Sequence, residues 1–322
     1  MEFLKDYTSK IDKGLKSINL SENPANLYDP LRYFFQLGGK RIRPILTLLA
    51  SECFDRNGVN ESINAALAIE IFHNFSLVHD DIMDEAPVRR GKQTVHKKWN
   101  QNIAILCGDV MLVKAYEYLN SYSPEKAKQL IEIFNKTAID VCEGQQMDMD
   151  FEKLSNVTQD EYIKMITLKT SVLLGCALQM GAIIGGGDLK EQNDLYDYGL
   201  NMGIAFQIQD DLLDLYGDPK LVGKQVGGDI IAKKNTLLMV VAKESANQKQ
   251  LKTLEKLLSE KNIEKKIDGI IALFKILKVQ EKCEELMNEY YKMAEYHLQN
   301  INLNTYKSKL WLLTNQLQKR NY

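Results

Sequence analysis

The sequence is poor in the residues that interrupt helices and in paired cysteines. It contains 6 prolines and 19 glycines in 322 residues, which favours helices over a sheet with many turns. The formal net charge is −2, so neither nucleic acid nor an anionic membrane surface would attract the whole chain. The five cysteines are scattered without Cys-x-x-Cys spacing. They are predicted to be small buried side chains in a reducing compartment.

The sequence also lacks segments that would divide it, export it or anchor it. There is no stretch rich in proline and serine, no low-complexity tract and no long block of one charge, so we predict one domain over residues 1–322. The first residues contain no apolar signal core, and we expect a cytoplasmic protein. The longest uncharged run, residues 170–187, includes Gln179 and several glycines. It is predicted to be a buried core helix, without stable membrane insertion.

Helical periodicity runs along nearly the whole chain. Leu67, Ile71, Phe75 and Val78, for example, recur at spacings of four, four and three, which is the period of one helix face. The sequence shows no convincing alternating strand and no hairpin dipeptide between strand-like runs. We therefore predict an all-α protein of about ten or more helices, given a usual helix length of about a dozen residues.

Local sequence signals mark several helix boundaries. Ser123 followed by Pro124 is typical of an N-cap and a first helical position. Residues 158–161, Thr-Gln-Asp-Glu, form a capping-box pattern that predicts a helix over residues 162–180. The turn residues at 216–219, Tyr-Gly-Asp-Pro, predict the end of another helix.

Two clusters with the pattern Asp-Asp-x-x-Asp are the most informative feature of the chain. They lie at residues 80–84 and 210–214, which are 130 residues apart (210 − 80 = 130), and apolar residues precede each. On a helix the first and last aspartates of a cluster share a face one turn apart, where like charges repel. Such sites need a cation, and hard oxygen ligands point to Mg²⁺. Mg²⁺ completes its shell with water and phosphate, so the clusters predict a metal-chelated phosphate ester.

Basic residues accompany both clusters and form a third element near the start of the chain. Arginine forks bind phosphate oxygens bidentately, and lysine acts as a mobile point charge. Two acidic and three basic elements together predict two phosphate groups, one bound through metal and one through arginine and lysine alone. The basic elements are Lys40, Arg41 and Arg43, then Arg89 and Arg90, and finally Lys224, Lys233 and Lys234.

Three stretches resemble motifs of the trans-isoprenyl diphosphate synthases, the polyprenyl synthetase family. Residues 38–44 (Gly-Gly-Lys-Arg-Ile-Arg-Pro) resemble its GGKRxRP element, and residues 77–91 and 203–214 resemble its two aspartate-rich motifs. The resemblance implies a Mg²⁺-dependent homodimer with the isoprenoid synthase fold, a single-domain helical bundle around a central cavity. It also implies condensation of an allylic diphosphate (dimethylallyl, geranyl or farnesyl) with isopentenyl diphosphate, head to tail.

The resemblance implies that carboxylates and cations share the binding of the allylic diphosphate. About three Mg²⁺ would sit on it, and further cations would contact its oxygens directly. One spacing supports this independently, because Gln207, Asp210 and Asp214 fall on one helix face. The metal ligands would be Asp80, Asp84 and Asp210, assisted by Asp81, Asp211 and Asp214; the direct contacts would be Arg89, Lys169, Lys224 and either Lys233 or Lys234; and Thr170 and Gln207 would lie near the reacting carbon.

Isopentenyl diphosphate would bind without metal, and the product would be short. Phe75 lies five residues before Asp80, roughly 7–8 Å along a helix at 1.5 Å per residue. In the family, a bulky aromatic at this place usually marks short-chain enzymes, so we expect a product of C15 to C20. The alternative is that Phe75 is only a core side chain. The isopentenyl diphosphate ligands would be Lys40, Arg41, Arg43, His73 and Arg90.

Three other functions are compatible with parts of the pattern. A class I terpene cyclase shares the all-α fold and one acidic cluster, but it has no second diphosphate substrate for the basic residues to bind. A carboxylate-bridged di-iron bundle would use the Glu-x-x-His of Glu70 and His73, but the sequence has only four histidines and no second such pair. A non-catalytic subunit of a heteromeric synthase would be expected to lose aspartates, and all six are present.

Overall fold

A computed structural model of the protein describes residues 2–154, 156–217, 227–232, 234–301 and 307–318. These residues are almost entirely helical, with one two-stranded ribbon among them. The predicted all-α class is confirmed. In chain order the elements are α1 (Glu2–Lys16), α2 (Ala25–Phe35), α3 (Ile42–Phe54), α4 (Gly58–Glu61), α5 (Ile63–Met83), β1 (Val88–Arg89), β2 (Lys92–Gln93), α6 (Val95–Lys98), α7 (Gln101–Leu119), α8 (Pro124–Phe151), α9 (Gln159–Ile166), a π-helical turn (Thr167–Ser171), α10 (Val172–Gly185), α11 (Leu189–Tyr216), α12 (Gly228–Ile231), α13 (Leu237–Ser245), α14 (Gln248–Leu258), α15 (Ile263–Leu277), α16 (Val279–Asn300) and α17 (Lys307–Gln318).

The described residues form two compact units. The first unit contains α1 to α7 with the ribbon, α8 up to Asn135, α10 from Cys176, α11 up to Leu195 and α17 up to Leu310. The second unit contains the remaining parts of these helices together with α9, the π-helical turn and α12 to α16. The first acidic cluster belongs to the first unit and the second cluster to the second unit. One domain over the whole chain stays a prediction.

Helix α5 is the central element of the first unit. It packs against α3 and α7, and Leu67, Ile71 and Val78 of its predicted apolar face are buried. Phe75 on the same helix is only half-buried. Burial of the apolar face therefore holds the acidic cluster at the end of α5 in a fixed place, because side chains that leave water stabilise the helix by about 1.5–3 kcal/mol each.

The core of the second unit surrounds α11. Ile204, Ile208 and Leu212 of this helix are buried in one apolar cluster with Val240 of α13 and Phe274 of α15. The apolar residues before the second acidic cluster therefore anchor α11 in the core. The aspartates that follow them are carried to the edge of that core.

Two predicted helix starts are observed, and one predicted helix is interrupted. Helix α8 begins at Pro124, and Thr158 and the side chain of Glu161 form the predicted capping box of α9. The helix predicted over residues 162–180 is present within the helical stretch Gln159–Gly185, but the expectation that it is α-helical throughout is wrong, because the turn Thr167–Ser171 between α9 and α10 is π-helical. In a π-helical turn each backbone hydrogen bond spans one residue more than in an α-helix. The spacing of apolar residues does not encode this extra residue.

The expectation that the chain contains no strand is also wrong at one short place. Val88–Arg89 pairs with Lys92–Gln93 in an antiparallel ribbon. Arg90 and Gly91 connect the strands with φ values of 52° and 74°, the positive pattern of a two-residue hairpin loop. Arginine rarely adopts this conformation, so Arg90 gave no turn signal in the sequence.

The uncharged run and the cysteines were predicted to be buried. Among the described residues, one helical stretch, Gln159–Gly185, is long and apolar enough to cross a membrane, and 72% of its most apolar window is buried inside the protein. Four of the five cysteines are buried. Cys142 on α8 is exposed, which differs from the prediction.

Candidate active site

The first acidic cluster ends helix α5. Asp84 is the exposed C-cap, and its backbone N–H donates to the Asp80 carbonyl. Asp81 points inward and is 1% exposed. Its Oδ1 accepts a hydrogen bond of 2.8 Å from Nε of Arg89 and lies 2.8 Å from Nη2 of the same guanidinium in an ion pair. Burial raises the pKa of Asp81, and the Arg89 guanidinium opposes that rise. The middle aspartate therefore fixes Arg89, while Asp80 and Asp84 lie one turn apart at the helix end.

Phe75 is part of a row of aromatic rings along α5 that ends in a contact of His79 with α7. Its ring meets the His79 ring edge-on at a centroid distance of 4.7 Å and the Phe72 ring at 5.5 Å. The Nε2 of His79 lies 3.1 Å from the Ile105 carbonyl oxygen. A Cβ at Gly108 of α7 would collide with the His79 ring, so glycine is required for this close packing. The role of Phe75 in setting product length stays a prediction.

Three predicted isopentenyl diphosphate ligands lie together in the first unit. Nη1 of Arg43 donates to Nε2 of His73 over 3.3 Å; because arginine can only donate, this imidazole is neutral and carries its proton on Nδ1. Burial lowers the pKa of His73 well below its usual value, and Arg43 and Arg90 act in the same direction. The Arg90 guanidinium donates to the carbonyl of Gly38, at the start of the glycine-led loop.

Lys40 and Arg41 are neighbours in that loop, but their side chains lie in opposite environments. Lys40 is exposed. Arg41 is 4% exposed, and its Nη1 donates to Glu70 over 2.5 Å and its Nε to Asp12 over 3.0 Å. Its Nη2 donates to the Phe35 carbonyl over 3.4 Å. Every nitrogen of the Arg41 guanidinium is therefore engaged by the protein.

The second acidic cluster lies near the end of α11. Asp211 is 6% exposed and accepts hydrogen bonds from the Tyr162 hydroxyl (2.5 Å), the Leu237 backbone N–H (3.0 Å) and Nε2 of Gln207 (3.4 Å). Burial raises the pKa of Asp211 to about 7, against the lowering effect of these hydrogen bonds. Asp214 accepts a bond of 3.1 Å from the backbone N–H of Asp229. Asp211 thus connects α9, α11 and the first residue of α13.

A cavity of about 150 Å³ in the second unit gathers several predicted site residues. Lys169 and Thr170 lie on the π-helical turn, a feature often found at functional sites. The Nζ of Lys169 lies 2.5 Å from Oδ2 of Asp148. Lys224 and Lys233 lie outside the described residues. The cavity is lined by the predicted Lys169, Thr170, Gln207, Asp211 and Lys234, and also by Asp148, Phe151, Glu152, Tyr162, Met165, Ile166, Asp229, Asn235 and Thr236.

Asp148 and Tyr162 are among the polar residues of this cavity that were not predicted from the sequence. Both lie far along the chain from the residues that they bind, so no local pattern connects them. Gly144 gave a partial signal for Asp148, since glycine inside a helix costs about 0.5–1 kcal/mol relative to alanine. The structure shows why it is there: a Cβ at Gly144 would collide with the backbone of Lys169.

The carboxylates of each cluster are chemically suited to Mg²⁺. Among the residues that the structure describes, no three His, Cys, Asp or Glu side chains form a ready-made metal cage. Mg²⁺ is usually held by one or two carboxylates, with water and substrate phosphates completing the shell. Asp80 with Asp84, and Asp210 with Asp214, offer pairs one helical turn apart, while protein donors hold Asp81 and Asp211.

Comparison with known proteins agrees with this geometry. A family model described as polyprenyl synthetase matches residues 24–275. A short chain isoprenyl diphosphate synthase from Methanothermobacter thermautotrophicus is 37% identical over 300 residues, which are 93% of this chain and 92% of that protein. A geranylgeranyl pyrophosphate synthase from Geoglobus acetivorans is 36% identical over 324 residues, covering 100% of this chain and 99% of the relative.

A solved structure extends the agreement to the whole fold. The crystal structure of geranylgeranyl pyrophosphate synthetase from Pyrococcus horikoshii Ot3 superimposes with a TM-score of 0.93 at 37% identity, covering 99% of this chain and 98% of that one. The predicted resemblance and the predicted isoprenoid synthase fold are confirmed. So is the predicted prenyltransferase function, in preference to the alternatives. The chain belongs to the polyprenyl synthetase family.

Proposed function

We propose that this protein condenses an allylic diphosphate with isopentenyl diphosphate and releases a prenyl diphosphate of C15 to C20. The allylic substrate would be dimethylallyl, geranyl or farnesyl diphosphate. One observation carries the proposal: a single cavity places Lys169, Thr170 and Gln207 beside the buried Asp211 of the second cluster. A lysine for phosphate, two neutral oxygen-bearing side chains and an acidic cluster are the groups that ionisation of an allylic diphosphate requires.

The residues of this cavity would stabilise charge and exclude water while the allylic diphosphate ionises. When bound at the acidic clusters, about three Mg²⁺ would neutralise the negative charge that develops on the leaving diphosphate. Lys169 would exchange its 2.5 Å contact with Asp148 for a phosphate oxygen. Gln207 and Thr170 would direct their side-chain oxygens at the allylic cation. Met165 and Ile166 in the cavity wall would keep water from quenching that cation.

The cations of the first unit would hold isopentenyl diphosphate without metal. Lys40, Arg43 and Arg90 would bind its oxygens, and the neutral His73 would add a hydrogen bond without adding charge. Arg89, which Asp81 holds through a hydrogen bond and an ion-pair contact, would contact the allylic diphosphate. The alkene would then attack the allylic cation, and a proton would leave to the released diphosphate.

We propose a homodimer, as the family resemblance implies. Helix α7 exposes Ile105, Leu106 and Val113; Leu106 and Val113 are seven residues apart and therefore share a face. Exposed apolar side chains in a row are typical of a surface that another protein covers. A second copy of this chain is the occupant we propose, and the molar mass in solution measures it. The scattered cysteines, which lack any Cys-x-x-Cys spacing, support a reducing, cytoplasmic location.

A single incubation tests the proposed function. The purified protein is mixed with isopentenyl diphosphate, dimethylallyl diphosphate and Mg²⁺, and the products are identified by mass. We expect linear C15 to C20 diphosphates together with released inorganic diphosphate, and no turnover after chelation of the metal. A cyclic hydrocarbon made from geranylgeranyl diphosphate alone would instead indicate a terpene cyclase. Activity only after a second protein is added would indicate a non-catalytic subunit.

The product length has its own test at Phe75. If this ring blocks the growing chain, Phe75→Ala opens space beyond it and the main product lengthens by one or more C5 units. If Phe75 is only a core side chain, the variant loses about 3–5 kcal/mol of stability and the surviving enzyme makes the same product. Phe72→Ala, a neighbouring aromatic that is 1% exposed, is the matched control for loss of aromatic packing.

A further inference from the structure

The carboxylate of Glu70 is buried among the cations of the first unit. Glu70 is 2% exposed and lies one turn before His73 on α5, so it is the glutamate of the Glu-x-x-His pattern. Its Oε1 accepts a 2.5 Å hydrogen bond from Nη1 of Arg41. Both side chains are almost fully enclosed, with 1% of the Arg41 side chain and 3% of the Glu70 side chain exposed.

Arg41 is held in a position from which it cannot reach a ligand. Its three guanidinium nitrogens donate to Glu70, to Asp12 and to the Phe35 carbonyl. Its backbone adopts a left-handed conformation (φ 52°, ψ 30°) at the N-cap of α3, which a residue other than glycine keeps only when its surroundings impose it. The side-chain contacts of Arg41 therefore fix the shape of the loop that carries Lys40 and leads into Arg43.

Glu70 is also the counter-charge for more than one arginine. Burial lowers the pKa of Arg43 and that of Arg90, and in both cases the negative charge of Glu70 opposes this effect. The negative charge of Glu70, which contacts Arg41 directly, thus also acts on Arg43 and Arg90. Asp12 neutralises Arg41 as well, but 39% of its side chain is exposed, so water screens its charge more strongly.

We propose that Glu70 is a positioning residue for isopentenyl diphosphate binding, and that Arg41 serves the ion pair with Glu70 instead of contacting the substrate. Glu70 would hold Arg41, and through it the loop of residues 38–43, so that Lys40 and Arg43 present their charges to the diphosphate. The Glu-x-x-His pattern then has a function without iron: Glu70 orders the cations that His73 joins. This inference rests on the proposed function and names two residues of the same site.

The test compares two single variants with the double variant that contains both. Glu70→Gln keeps the shape of the side chain but leaves the buried Arg41 without its main counter-charge. Arg41→Gln leaves the carboxylate without its ion-pair partner. Each should raise the KM for isopentenyl diphosphate about tenfold, the effect of losing one charge-assisted contact, with the KM for the allylic substrate unchanged. Because two amides can hydrogen-bond to each other, the double variant should return to within about threefold of the wild-type KM.

The recovery in the double variant separates positioning from substrate contact. If Arg41 bound the diphosphate itself, the double variant would stay as poor as Arg41→Gln, and the proposal would be overturned. An unchanged KM in Glu70→Gln would also overturn it. Asp12→Asn makes the same chemical change at the exposed partner and should alter the KM less than threefold; an effect as large as that of Glu70→Gln would contradict the assignment to Glu70.

Calorimetric binding of isopentenyl diphosphate without Mg²⁺ gives a second readout that does not need turnover. The dissociation constants should follow the same order, with both single variants weakened and the double variant restored. Wild-type protein that does not condense the two substrates would contradict the proposed function, whereas an active wild type with an unrestored double variant would contradict only the inference. If Glu70→Gln does not fold, comparing the KM for isopentenyl diphosphate of Arg41→Gln with that of the double variant still tests whether Arg41 contacts the substrate.

Discussion

The two acidic clusters have the same pattern, but different chemistry holds their middle aspartates. Asp81 in the first unit is 1% exposed and Asp211 in the second is 6% exposed, so both point inward. Asp81 is bound by a cation, with two 2.8 Å contacts from Arg89. Asp211 is bound by neutral donors, the Tyr162 hydroxyl and the Leu237 backbone N–H, at 2.5 and 3.0 Å.

This difference separates two ways of supporting a metal-binding helix end. A cation favours the ionised form of a buried carboxyl directly, and Asp81 therefore fixes Arg89, which is itself a predicted phosphate contact. Neutral donors compensate burial less completely, and the pKa of Asp211 rises to about 7. Asp211 instead connects three helices and orients Gln207. The first cluster is thus linked through Asp81 to Arg89, a cation of the same unit. The second cluster is linked through Asp211 to the neighbouring helices of its unit.

The strongest test of the comparison removes an outer aspartate from each cluster. Asp80→Ala and Asp210→Ala should each reduce kcat by about three orders of magnitude or more, because metal–phosphate contacts stabilise the transition state by several kcal/mol and each 1.36 kcal/mol is tenfold. Steady-state kinetics at saturating Mg²⁺ measures the effect. Asp6→Ala and Asp268→Ala, at exposed positions on α1 and α15, are the controls. A near-normal rate in either cluster variant would show that one cluster suffices.

A second test asks whether Lys40 of the first unit and Lys169 of the second serve different substrates. Lys40→Ala should raise the KM chiefly for isopentenyl diphosphate, and Lys169→Ala should act on the allylic substrate. Each lost charge-assisted contact should cost about 1.5–3 kcal/mol, or roughly 10- to 150-fold. Lys10→Ala and Lys164→Ala remove exposed lysines from α1 and α9 as controls. Equal changes in the KM of both substrates in Lys40→Ala and in Lys169→Ala would contradict the assignment of these lysines to different substrates.

A third test concerns the neutral anchor of the second cluster. Tyr162→Phe removes a hydroxyl that donates to the buried Asp211 and leaves the carboxylate with one donor fewer. The free energy of unfolding should fall by about 1–3 kcal/mol, measured by urea denaturation without Mg²⁺. Tyr296→Phe makes the same change at a side chain that is 61% exposed and should have almost no effect. Equal stability of the two variants would mean that the 2.5 Å contact contributes nothing.

The smallest expected effect concerns the neutral histidine of the first unit. Burial, together with Arg43, keeps the pKa of His73 well below 6.5 in the folded protein. Below about pH 6.5 the unfolded chain therefore binds more protons, and stability is lost as the pH falls. Between pH 7.5 and 5.5 the wild type should lose about 1.4 kcal/mol more than His73→Gln, measured by denaturation. His297→Gln is the control, and parallel losses in wild type and His73→Gln would contradict a neutral His73.

Several features could be predicted because they depend on residues close together in the chain. The capping box of α9 involves residues three positions apart, and the acidic clusters use the four-residue repeat of one helix face. The π-helical turn at Thr167–Ser171 was not predicted, because apolar spacing does not encode it and its close contact with Gly144 of α8 joins residues far apart in the chain. The ribbon at Arg90 was missed for a different reason. Arg90 adopts a left-handed backbone conformation, and arginine is not a residue that usually indicates a turn.

The sequence by itself determined the helical class and the family, because periodicity and motif spacing along the chain carry that information. Only the tertiary structure decided which charged and polar side chains pair with each other. Arg41 and Glu70 are 29 residues apart and Tyr162 and Asp211 are 49 apart, so no local pattern pairs them. These pairs matter because they are buried. Removing an ionised group from water costs free energy unless a partner compensates it, and folding brings that partner into place.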